Sequence, residues 1–238
     1  MGRNNYFQFK KFTVIQEKSP MKVGTDGVLL GAWVNIENSE SILDIGTGTG
    51  VIALILAQRS KAEITGIDIE ENAALEASTN VVNSIWNDRI KIYNISLQEF
   101  AQNNRTLFDL IVCNPPFFIN SKKSLHPGLS IAKHSDLLSL NDLAVFPAGL
   151  LKPAGRIAVI LPVKEAGQFI DITASKNLYL YRVTEVKAKN TKKPIRWLME
   201  FSRKKKEPEK TFLTIHNDDG SGFTPDYKAL TKEFYLNF

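Results

Sequence analysis

The sequence is poor in the residues that define several common protein classes. It has one cysteine in 238 residues, Cys113, so no disulfide can form within the chain. Its three histidines, His126, His134 and His216, are scattered without the spacing of a zinc site, and no metal is expected. The longest apolar run, Val51 to Ala57, falls far short of the roughly 18 residues that suggest a membrane span. The opening MGRNNYFQFK lacks the apolar centre of a signal peptide, and Tyr6 stands where a myristoylation signal has Ser or Thr. A cytoplasmic protein with no membrane association is expected, and nothing calls for an obligate protein partner. Internal repeats and low-complexity linkers are also lacking.

Basic charge is concentrated in one place. Between Lys187 and Lys206 lie nine Lys or Arg residues against the single acid Glu200, a local +8 in a chain of net charge +5. The remainder is therefore weakly acidic, as expected where one basic face meets a polyanion, although a solvated charged hairpin has the same pattern.

The hydrophobic content of 43% is enough for one sizeable core, and one domain is expected. From about residue 41, apolar runs of strand length alternate with helical patterns, the mark of βαβ units around a parallel sheet. Strands are read at 41–45, 62–68, 90–95, 108–113, 155–161 and 179–187. Helices are read at 51–59, 70–83, 140–151 and 164–176. The polar stretch from Ile119 to Asp136 is too long for a simple connector and is read as a substrate loop. Ile195 to Phe201 alternates apolar and polar residues, which predicts a half-buried strand, and 211–216 is read as its hairpin partner. A short closing helix is read at 227–236.

Two motifs carry chemistry. Asp44-Ile-Gly46-Thr-Gly48-Thr-Gly50 falls where a strand turns into a helix, so the backbone can approach a ligand without obstruction by Cβ atoms. A dinucleotide fingerprint would need glycine at position 51, which is Val51. Asp68, at the end of the second strand, can accept hydrogen bonds from ribose hydroxyls or cap the next helix. Asn114-Pro115-Pro116-Phe117 ends the fourth strand beside the switch point of such a sheet. An aromatic amino group is a weak nucleophile, so acceptors must hold its hydrogens. Asn114 Oδ1 and the Pro115 carbonyl can do so, Pro116 helps fix the turn, and Phe117 offers a stacking face. Each motif alone is also compatible with an ordinary tight turn.

Asp44 with its alternating glycines is similar to the first motif of class I methyltransferases, and with Asn-Pro-Pro-Phe to the amino-methyltransferases of adenine or glutamine. Phe9-Lys-Lys-Phe-Thr13, Met21-Lys-Val-Gly-Thr-Asp-Gly-Val-Leu-Leu-Gly-Ala-Trp33 and the tail from Tyr227 to Leu236 resemble the bacterial tRNA1(Val) adenine-N6-methyltransferase family. The resemblance spans nearly the whole chain. It implies a Rossmann-like three-layer α-β-α fold with a seven-stranded, mostly parallel sheet ending in an antiparallel hairpin. Residues 1–40 would cap the cofactor site and 41–238 would form the core.

The same resemblance implies S-adenosylmethionine as cofactor and, as substrate, the adenine beside the anticodon of a valine tRNA. Cofactor contacts are expected from Lys22, Gly24, Thr25, Asp26, Asp44, Gly46, Gly48, Gly50, Asp68 and Asn114. Ser96 stands where such enzymes often carry an acid that meets the cofactor adenine. RNA contacts are expected from Lys10, Lys11, Lys122, Lys123, Lys133, His134, Lys192, Lys193 and Arg196. A protein-glutamine methyltransferase and a non-catalytic RNA-binding protein on the same fold are the competing readings.

Overall fold

A computed structural model describes residues 4–116 and 138–238. Two short strands open the chain, β1 (Tyr6–Gln8) and β2 (Thr13–Ile15), paired antiparallel. Helix α1 (Thr25–Trp33) follows, and then the alternating units begin. These are β3 (Ser41–Ile45), α2 (Val51–Arg59), β4 (Glu63–Asp68), α3 (Glu71–Val82), β5 (Ile90–Asn94), α4 (Leu97–Asn103) and β6 (Phe108–Cys113). After the undescribed residues come α5 (Leu140–Leu150), β7 (Leu151–Pro162), α6 (Val163–Ala174), β8 (Tyr179–Lys187), β9 (Pro194–Ser202), β10 (Glu209–Thr214) and α7 (Pro225–Thr231).

Strands β3 to β10 form one sheet in the order β10-β8-β9-β7-β6-β3-β4-β5, in which only β9 runs against the others. The central strands are apolar on both faces because both are covered. Along β6, Leu110 and Val112 pack into the core shared with α1, α2 and α7, while Ile111 and Cys113 pack into the core shared with α5 and α6. This is a three-layer α-β-α arrangement. Local signals set the helix starts: Ser96, Ser139 and Thr224 each accept a bond from the backbone N–H three residues on, at α4, α5 and α7.

The expected hairpin between Ile195–Phe201 and 211–216 is not formed. Strand β9 is already hydrogen-bonded on both edges, by β7 and β8, so the chain leaving Ser202 crosses to the outer edge of β8. There β10 pairs in parallel, with Thr211 opposite Thr184. The sheet therefore has eight strands, the seven implied by the resemblance plus this added edge. Because β9 is antiparallel, the basic run is also divided. Lys187, Lys189, Lys192 and Lys193 lie at the end where the parallel strands finish, and Arg203 to Lys206 lie at the opposite end. Nine residues of extended chain separate these groups by about 30 Å.

Candidate active site

Strands β3 and β6 are neighbours, with Ile45 opposite Cys113, so the two motifs leave the sheet side by side. After β3 the chain makes three left-handed turns, at Gly46 (φ 66°), Gly48 (φ 58°) and Gly50 (φ 81°). This region disfavours side chains, and a Cβ on Gly46 or Gly48 would meet no atom within 4 Å, so the turn borders open space. The turn is pinned from β4, because Gly46 N–H and Thr47 N–H both donate to the Ile67 carbonyl at 2.9 and 3.0 Å. Helix α2 begins after Gly50, which offers no side-chain cap to its first amide groups.

Two acids flank the turn. Asp44 is fully buried and accepts a 2.7 Å bond from Thr47 Oγ1, while its Oδ1 has no partner. Burial, more than any neighbouring charge, pushes its pKa up to about 7. Asp68 accepts from Gly48 N–H at 2.8 Å and from Glu70 N–H at 2.9 Å, and burial also raises its pKa. Each Asp68 oxygen retains accepting capacity.

Asn114, the first residue after β6, is half-buried, and its Oδ1 is buried without a partner. Pro115 is buried and Pro116 exposed. A methyl group added to Gly27 of α1 would come within 3.8 Å of Asn114 Nδ2, so the start of α1 forms a wall of the same site. The neighbouring Cys113 thiol is driven well above its usual pKa by burial and is no nucleophile.

The residues before α1 divide between two neighbourhoods. Lys22 Nζ donates to the Gln16 carbonyl, whereas Gly24, Thr25 and Asp26 line a cavity of about 650 Å³ toward β8 and β10. The Asp26 carboxylate is paired there with Arg196, at 2.8 Å. Ser96 lies beyond β5 and its hydroxyl caps α4, accepting from Glu99 N–H at 3.1 Å. Among the expected RNA contacts, Lys11, Lys192 and Lys193 are exposed. The Lys10 ammonium instead holds the chain's tail, donating to the carbonyls of Lys232 and Phe238 at 2.6 and 2.7 Å. Phe117, Lys122, Lys123, Lys133 and His134, like the whole of the expected substrate loop, lie outside the described residues. Among the described residues no cluster of His, Cys, Asp or Glu could hold a metal ion, and no helix is long and apolar enough to cross a membrane.

Two residues of the site escaped sequence reasoning. Glu76 accepts from the N–H groups of Glu17, Lys18 and Ser19 at 2.5 to 3.0 Å. Asn80 bonds both backbone groups of Ile15 and the carbonyl of Thr49 in the glycine turn, at 2.8 to 2.9 Å. Together they fasten residues 15–19 over that turn. The available signal was a pair of polar residues four apart on the Ala73–Ala77 face of α3, the face that turns inward.

A glycine-lined cradle at the carboxyl end of β3, an acid ending β4 and Asn-Pro-Pro after β6, on this sheet order, define a class I methyltransferase. A family model described as a methyltransferase small domain matches residues 21–136. The chain is 44% identical to the tRNA1(Val) (adenine(37)-N6)-methyltransferase of Trichodesmium erythraeum, covering 98% of this chain and 99% of that protein. It is equally identical to the protein so named in Flavobacterium psychrophilum, over 97% and 99%. Among solved structures, a predicted O-methyltransferase from Agrobacterium tumefaciens matches with a TM-score of 0.69 at 18% identity, over 88% of this chain and 96% of that one. The T. thermophilus 16S rRNA N2 G1207 methyltransferase, solved with AdoMet and guanosine, matches with a TM-score of 0.58 at 18% identity, over 84% and 50%. The chain belongs to the tRNA1(Val) (adenine-N6)-methyltransferase family.

Proposed function

We propose that this protein methylates N6 of the adenine beside the anticodon of a valine tRNA, with S-adenosylmethionine as methyl donor, in the cytoplasm and as one domain whose residues 1–40 cap the core of residues 41–238. The observation that carries this reading is the partnerless, buried Oδ1 of Asn114 beside the glycine turn. An unpaired acceptor in such a position costs about 1–3 kcal/mol of stability and is explained if a ligand's N–H completes it.

The cofactor fits the residues present. The open backbone at Gly46 and Gly48 suits its methionine portion, Asp68 has capacity to accept from its ribose hydroxyls, and Ser96 follows β5, where a contact to its adenine is expected. The unpartnered Asp44 Oδ1 suits its positive charge. The bound cofactor supplies a methyl group activated by a sulfonium. Asn114 Oδ1 and the Pro115 carbonyl would orient the amino group of the base and stabilise the positive charge that grows on its nitrogen during transfer. The extra proton on nitrogen is then strongly acidic and departs to water without a dedicated base. Phe117 stacks on the adenine ring. Lys11, Lys192 and Lys193, with Lys122, Lys123, Lys133 and His134, contact the RNA.

The test is incubation with labelled S-adenosylmethionine and either unmodified tRNA or a release factor, followed by mass spectrometry of nucleosides and peptides. N6-methyladenosine that disappears in Asn114→Ala supports the proposal. Methylglutamine, or no transfer to either substrate, overturns it.

A further inference from the structure

The 650 Å³ cavity beside α1 has a construction that suits a planar aromatic ligand. It opens where β8 and β10 end, on the same side of the sheet as the glycine turn, and Gly24 to Asp26 form one of its walls. The next residue, Gly27, abuts Asn114, so a single turn of chain separates the cavity from the proposed methylation site. The opposite wall is aromatic. His216, Phe223 and Tyr227 stack in a column with centroid separations of 4.8 and 5.0 Å, and Phe7 and Tyr235 meet edge-on at 6.1 Å. At the head of the column the imidazole of His216 is half-buried, and no other ring stacks on it among the described residues.

Exposed cations stand at the opening, beside Asp218, whose carboxylate accepts from Thr191 in the same loop. Ala188 and Ile195 line the cavity, and the loop between them carries exposed Lys192 and Lys193. Within the cavity the Arg196 guanidinium is held by Asp26. Stacking surfaces beneath a basic rim are how single-stranded RNA is gripped, with rings for the bases and cations for the phosphates. We infer that this cavity seats a nucleobase adjoining the target adenine in the substrate RNA, so that two neighbouring bases leave the anticodon loop together, one toward Asn114 and the other onto the aromatic column. The inference rests on the reading of the substrate as tRNA.

The test measures methyl transfer to a synthetic anticodon stem-loop that is intact or carries an abasic residue at one neighbour of the target adenine. Loss of one stacked base is expected to raise KM by about tenfold for one of the two neighbours. In His216→Ala and Ile195→Ala, which change half-buried and exposed side chains, KM for the intact RNA should rise similarly and the abasic penalty should shrink. Abasic RNAs methylated as well as intact RNA, or a penalty undiminished in both variants, would overturn this inference alone. Failure of the wild type to methylate intact RNA would overturn the tRNA reading and this inference with it. A dimer abolished by Ile195→Glu would assign the cavity to a second copy of the chain instead.

Discussion

Replacing Asp44 by asparagine tests the electrostatics of the cofactor site without requiring turnover. In the folded protein this carboxyl titrates at about 7, raised chiefly by burial from an ordinary value of 3.8. A group that binds its proton more tightly when folded contributes stability that is complete below 3.8 and is lost as pH rises through about 7. From about pH 5 to about pH 7 the unfolded carboxyl is ionised while the folded one holds its proton. Those two units withdraw roughly 3 kcal/mol from the wild type. Asparagine does not titrate there and still offers an oxygen to Thr47 Oγ1. Unfolding followed by circular dichroism without cofactor, at several pH values, should show the melting temperature of Asp44→Asn gaining on the wild type as pH rises. For a domain of this size the relative gain from about pH 5 to about pH 8 is roughly 5–10 °C. All other titrating groups contribute alike to both proteins to first order, so they largely cancel in the difference. A constant difference across this range would refute the assignment of a raised pKa to Asp44. Addition of S-adenosylmethionine at about pH 8 should then stabilise the wild type more than the variant, because only the wild type presents a carboxylate to the cation.

Within α1, one substitution should have opposite signs at two sites. Gly27→Ala, whose new methyl would meet its neighbours at 3.4 to 3.8 Å, should stabilise by about 0.5–1 kcal/mol. Gly31→Ala would press to 2.8 Å from Ile55 Cγ2 and should destabilise by about 1–3 kcal/mol, both read from chemical denaturation. Glu200 is buried and bonds Arg182 at 3.1 Å and Asn35 N–H at 2.8 Å, so Glu200→Ala should cost about 3 kcal/mol and lower the melting temperature by roughly 6–12 °C. If the catalytic end alone meets tRNA, Lys192→Ala with Lys193→Ala should flatten the salt dependence of tRNA binding by about one to two logarithmic units per decade of salt, while Lys205→Ala with Lys206→Ala should leave it unchanged.

Much of this fold was legible because the strands that build it are buried on both faces and leave continuous apolar runs. Leu110 to Cys113 has this character throughout, Ile42 to Ile45 breaks it only with the buried Asp44 and Ile64 to Ile67 only with Thr65 and Gly66, and the glycines and prolines that follow β3 and β6 mark where chemistry can sit. What was not legible depends on which edge a strand finds. Nothing in 209–214 records that both edges of β9 are occupied, so the nearest partner in sequence was the wrong partner in space. The same reversal divided the basic run. Local patterns also concealed α4, whose seven residues are too few for a helical period to register. The β1–β2 hairpin was hidden for a similar reason, since strands of three residues show no alternation. Glu76 and Asn80 were overlooked because an acid and an amide on a helix read as surface until their partners are known.

The placement of unsatisfied polar atoms bears on why the two motifs belong together. Among the described residues six buried side-chain polar atoms lack partners, and two of these, Asp44 Oδ1 and Asn114 Oδ1, stand at the ends of adjoining strands. The same corner carries three left-handed glycines and an acid kept near neutrality by burial. Each feature lowers the stability of the unliganded fold by an amount that packing elsewhere must offset. A turn serving only to join a strand to a helix has no use for any of them. On the proposed reading, a site that holds a cation on one side and an amine on the other needs an acceptor for each, and Asp44 and Asn114 stand at the ends of two neighbouring strands. Asp44→Asn and Asn114→Ala should therefore separate in their effects: the first weakens cofactor binding, and the second leaves cofactor binding within about twofold while methyl transfer falls by at least about a hundredfold. Equal losses of cofactor affinity in both variants, measured by calorimetry, would show that the two acceptors serve the same ligand.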